Sequence, residues 1–115
     1  GDALAPPVAT FAAHSAPMGL TFLPADNPWK LDMISAIHGS WATQAAGGPA
    51  SRRPPKIVGI RLATDGRQGT VTDLVSGFQA ENGERWARPT GVAYHDGALY
   101  FTSDSGEAGL YRLTP

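Results

Sequence analysis

An all-β protein built from antiparallel sheets is what this sequence predicts, on three observations. Fourteen glycines and ten prolines punctuate the 115 residues, cutting the apolar positions into short blocks. No segment carries the three-to-four-residue apolar period of an amphipathic helix. Arg88 to Asp104 reads as a hairpin. Val92 and Tyr94 alternate with small or polar neighbours, His95-Asp96-Gly97 supplies the turn, and Leu99-Tyr100-Phe101 returns as a second strand.

In chain order, Gly1 to Pro7 reads as a loop and Val8 to Ala12 as a short strand. A strand over Gly19 to Leu23 is stopped by Pro24-Ala25-Asp26-Asn27-Pro28. Leu31 to His38 is a second strand with apolar residues of both parities, so both of its faces are expected to be covered. Gly39 to Pro55 has no period and reads as a long loop, of the kind that is usually functional or mobile. Lys56 to Leu62 and Thr70 to Phe78 follow as strands about an Asp65-Gly66 turn, and Gln79 to Ala87 is a polar connection. After the hairpin, Ser105 to Gly109 turns the chain into a last strand, Leu110 to Leu113.

Composition narrows the function classes. A hydrophobic fraction of 42% with 17% charged residues suits a globular domain rather than a disordered one. A net charge of −1 gives no footprint for nucleic acid or an anionic membrane, and no apolar run is long enough to span a bilayer. Cysteine is absent, which excludes a disulfide scaffold and a thiolate metal site. Asp26, Asp32, Asp65, Asp96 and Asp104 are scattered without the dense spacing of a calcium loop, so no metal ligand is assigned.

The strands count as one, then four, then three. A propeller blade is a four-stranded antiparallel sheet. The count therefore suggests residues 1–16 as the last strand of a preceding blade, 17–78 as one complete blade, and 88–115 as three strands of a closing one. The two main blocks also open alike. Pro17-Met18-Gly19-Leu20-Thr21-Phe22 and Pro89-Thr90-Gly91-Val92-Ala93-Tyr94 share the pattern Pro-x-Gly-apolar-small-aromatic, 72 positions apart.

Three stretches together carry a resemblance. They are His14-Ser15-Ala16-Pro17-Met18-Gly19-Leu20, Ala36-Ile37-His38-Gly39-Ser40-Trp41, and Arg88-Pro89-Thr90-Gly91-Val92-Ala93 with Asp96-Gly97-Ala98-Leu99-Tyr100. In this order and spacing the chain resembles the C-terminal part of the pyrroloquinoline-quinone (PQQ)-dependent sugar and sorbosone dehydrogenases. These include fungal pyranose dehydrogenase domains and are related to soluble glucose dehydrogenase. The resemblance implies about two blades from the C-terminal part of a six-bladed β-propeller. It also implies PQQ and Ca2+ at the top of the channel, a sugar substrate, an electron acceptor, and a secreted or periplasmic location. The family's catalytic histidine and calcium-holding carbonyls lie in earlier blades, and nothing here matches them. The chain alone is therefore expected to be inactive, with no catalytic base assigned.

By the same resemblance, Arg88 stands where family members place a PQQ-binding arginine, and its fork suits carboxylate or quinone oxygens. The bland alternative is a surface arginine. His38 stands where related glucose dehydrogenases offer a lysine; the alternative is a packed histidine bonded to a backbone carbonyl. His14 precedes an inner strand and is expected at the channel mouth. Trp41 is expected either to stack over the cofactor or line the sugar subsite, or else to anchor the long loop. His95, Arg52, Arg53 and Lys56 read as solvated, and Trp29 and Trp86 as structural. Two function classes remain: a quinoprotein oxidoreductase, or a non-catalytic propeller segment binding glycan or protein.

Overall fold

A computed structural model describes residues 7–13, 15–40, 48, 51–65, 68–106 and 108–115. Its strands are β1 (Pro17–Phe22), β2 (Met33–Ile37), β3 (Lys56–Arg61), β4 (Thr70–Val75), β5 (Ala87–His95), β6 (Ala98–Gly106) and β7 (Gly109–Leu113). They form two antiparallel meanders, β1-β2-β3-β4 and β5-β6-β7. The expected four-plus-three grouping is thus present. No helix among the described residues is long and apolar enough to cross a membrane.

The hairpin has the turn its sequence asks for. His95 pairs with Ala98, and the two residues between them are both left-handed, Asp96 at φ 50° and Gly97 at φ 80°. That is the two-residue turn whose twist matches the flanking strands. β2 is buried along its whole length, as its two-parity apolar pattern predicts. It is shorter than expected because Leu31 leaves the strand direction and covers Gly59 of β3. Buried Asn27 fixes that loop, donating to the carbonyls of Pro24 and Leu31 and accepting from the Leu31 amide. β4 likewise stops at Val75, and Phe78 turns into the core.

The core lies between the meanders. Leu31, Ile34 and Ile57 meet Phe78, Ala87, Leu99 and Phe101 there. Phe101 is 5.6 Å edge-on from Phe78 and stacks on Tyr111 at 5.2 Å, geometries worth about 0.5–1.5 kcal/mol each beyond burial. β5 lies against β1 and β2.

The far side of the first meander is also apolar. Met33, Ile37, Val58 and Ile60 cluster there with Val71. Val8 to Ala12, expected as a strand, carries no strand pairing. It runs as a strap over this face, with Ala9 and Phe11 on the cluster and the Val8 carbonyl accepting from the Gly69 amide. The correction has a simple cause, because a residue pair such as Ala9 and Phe11 can cover an apolar face without a ladder. Met18, Leu20 and Phe22 of β1 remain exposed, Phe22 at 68%.

Candidate functional site

β2 ends and β5 begins at one rim of the molecule, and two of the expected site residues meet there. His38 follows β2 directly, and Arg88 is the second residue of β5. The Arg88 Nε–H donates to the His38 carbonyl at 3.0 Å, and its Nη2 donates to the Gly39 carbonyl at 3.2 Å. The Arg88 amide in turn donates to Ser103 Oγ on β6. His14 and Trp41 lie outside the described residues. Ser15 and Ala16 are joined to this rim, because their carbonyls accept from the amides of Gly39 and His38.

The His38 ring is held from the other sheet. Its Nε2 is 3.0 Å and 3.2 Å from the two carboxylate oxygens of Asp104. His38 is 18% exposed and Asp104 54%, so the pair sits at the edge of the rim rather than inside it. The hydrogen bond with His38, helped by the charges of His38 and Arg88, holds the Asp104 carboxyl below its ordinary range. Slight burial opposes this.

Arginine is denser here than the sequence suggested. Arg85 donates to the carbonyls of Ser40 and Arg53 and to Gln79 Oε1, while Arg52 donates to the Gly83 carbonyl. Among the described residues, Arg52 Nε is buried with no hydrogen-bond partner. Burial, then the charges of Arg88 and Arg52, pull the Arg85 guanidinium down to about 10, which leaves it a cation at neutral pH. Arg88 is lowered too, by burial first, with Asp104 opposing and Arg52 adding. Arg88 and Arg52 thus both bear on Arg85, and Asp104 is a carboxylate that bears on Arg88. The arrangement can attract and orient a ligand carrying several anionic oxygens.

Arg85 was missed in the sequence because it stands in a polar connection with no motif. Arg52, expected to be solvated, is instead half-buried and part of the cluster. Asp104 carried no signal either, since its role exists only once β6 is beside the end of β2. Among the described residues no group of three or more His, Cys, Asp or Glu could hold a metal ion.

No family model, curated protein or solved structure matches this chain.

Proposed function

We propose that this chain is part of a β-propeller quinoprotein that oxidises aldose- or sorbosone-like sugars, secreted or periplasmic, with its catalytic base in other blades. The observation that carries the reading is the convergence of His38 and Arg88, 50 residues apart in sequence, through the 3.0 Å bond from Arg88 Nε to the His38 carbonyl. Two further features support the propeller part of it. β1 and β5, which open with the same Pro-x-Gly pattern, lie side by side as the inner strands of neighbouring blades would. The exposed Met18, Leu20 and Phe22 give β1's outer face the apolar character that a preceding blade would cover.

The residues fit the cofactor's chemistry. PQQ carries three carboxylates and an ortho-quinone, and the rim offers the guanidiniums of Arg88, Arg85 and Arg52 against Asp104. When bound, PQQ supplies the quinone that accepts hydride from the sugar. Arg88 would hold an acidic edge of it, tied by its Nε and Nη2 so that the fork is fixed before the ligand arrives. His38 would stand beside it, its ring oriented by Asp104. A calcium ion and the proton-accepting base would come from the remaining blades. The second reading, a non-catalytic segment, draws on one observation: Asp104 already occupies His38 Nε2.

Titration of PQQ against the chain, followed by PQQ absorbance, tests the proposal. Weak binding is expected, reduced about tenfold or more in Arg88→Ala by loss of a charge-assisted hydrogen bond. The chain alone should not oxidise sugar with a dye acceptor, whereas mixing it with complementary blades should give PQQ- and calcium-dependent turnover. Absence of PQQ binding, or binding indifferent to Arg88→Ala, would overturn the assignment.

A further inference from the structure

The connection from β4 to β5 builds a cleft of about 310 Å³ lined by Gly77, Gln79, Ala80, Glu84, Arg85 and Trp86. That volume is at the low end of the roughly 300–1,000 Å³ typical of small-molecule sites. Its walls are fixed by bonds of their own. Gln79 and Arg85 form an isolated antiparallel bridge, and the Trp86 amide donates to the Phe78 carbonyl. Inside the turn, the Ala80 amide donates to the Glu84 carbonyl, and the Gly83 amide to that of Ala80.

Trp86 is the unusual member. Its indole packs on Phe78 at 4.9 Å and meets Tyr111 edge-on at 5.8 Å, and its Nε1–H donates to the Gly77 carbonyl at 3.0 Å. Despite these three restraints it stays 42% exposed. An indole needed only for the core would be expected to bury more of its area, since that burial is its main contribution to stability. A ring held rigid and left half open is a preorganised platform, which loses little entropy when a flat ligand lands on it. The cleft is also lined by Glu84, an acidic residue, and by the bonded pair Arg85 Nε to Gln79 Oε1 at 2.7 Å, with Gln79 Nε2 donating to the Arg52 carbonyl. An apolar face edged by donors and acceptors matches a pyranose ring, with its C–H face and peripheral hydroxyls.

We propose that this cleft is a saccharide subsite, taking one pyranose unit of an oligosaccharide against Trp86 with hydroxyls on Glu84 and the Arg85–Gln79 pair. The inference deepens the sugar-oxidising reading and rests on it for the choice of ligand class. Arg85 joins the two places, because it lines the cleft and also donates to Ser40 and Arg53 at the rim. A sugar chain whose end lies at the rim would therefore have its next unit in the cleft, favouring oligosaccharides over monosaccharides.

The test is saturation-transfer NMR on the whole chain with glucose, cellotetraose and maltotetraose, repeated on Ala80→Trp, which fills the cleft, and on Glu84→Ala. Transfer to at least one tetraose is expected, with the affinity of that tetraose lowered about tenfold or more in both variants. Absence of transfer from all three saccharides, or transfer unchanged in Ala80→Trp, would overturn the subsite. A PQQ titration on the same samples separates the two proposals. Saccharide binding without PQQ binding would sink the quinoprotein reading and leave the subsite standing; PQQ binding without saccharide binding would do the reverse.

Discussion

Gly19 of β1 and Gly91 of β5 face each other across the joint between the meanders. A β-carbon on Gly19 would lie 2.8 Å from the Thr90 carbonyl oxygen and 3.3 Å from the Gly91 α-carbon. The repeated Pro-x-Gly pattern therefore makes its own contact: the glycine of one copy admits the backbone of the other. On Gly91 the added carbon would meet no backbone atom but the Thr102 hydroxyl, at 3.0 Å, a side-chain oxygen that accepts from the Gly91 amide and bonds Thr90 Oγ1.

Gly19→Ala should accordingly destabilise by about 1–3 kcal/mol, the usual cost of forcing a backbone shift in a packed joint. Gly91→Ala should cost clearly less. Urea unfolding of the two variants beside the parent checks this, and equal losses would argue against the close approach.

Arg85 holds two segments of the rim at once. Arg85→Met should leave the Ser40 and Arg53 carbonyls without their guanidinium donor, at a cost of about 1–3 kcal/mol. Arg85→Lys should recover only part of it, because one ammonium lacks the planar fork that also reaches Gln79. Thermal melts of both variants make the comparison. Full rescue by lysine would show that charge alone matters there.

The His38–Asp104 pair predicts an acid-dependent contribution with a definite sign. The Asp104 carboxyl is held below its ordinary range in the folded chain, chiefly by His38. Such a group stabilises above its unfolded value, and the contribution is lost as pH falls through the lowered folded one. The stability gap between parent and Asp104→Asn should therefore narrow at pH well below about 4. It should be small throughout, since Asp104 is more than half exposed and screened. Urea midpoints across the acid range measure it; a gap that widened on acidification would contradict the pairing.

Leu20 and Phe22 should drive self-association, because an exposed apolar strand face at 54% and 68% invites a partner. Light scattering of the parent should show concentration-dependent growth that Leu20→Glu with Phe22→Glu suppresses. A monodisperse parent at high concentration would mean that the face is tolerated bare.

Much of the fold was legible because it is local. Asp96-Gly97 names its own turn, and the apolar residues of both parities in Met33–Ile37 declare a strand covered on both faces. Val8 to Ala12 misled because short alternating residues read alike whether they pair in a ladder or lie across a sheet. The site was legible in part. His38 and Arg88 stood in quotable motifs, whereas Asp104 and Arg85 owe their contacts to neighbours far away in sequence. Asp104 lies 66 positions from His38, a separation that no local pattern spans.

Every named strand pair joins consecutive strands, so each meander can zip from its own hairpins, the longest closure being the loop between Ile37 and Lys56. The β1–β5 joint and the His38–Asp104 pair demand far longer closures. The two sheets should thus form early and separately, and the rim where the candidate site lies should be the last part of the molecule to assemble.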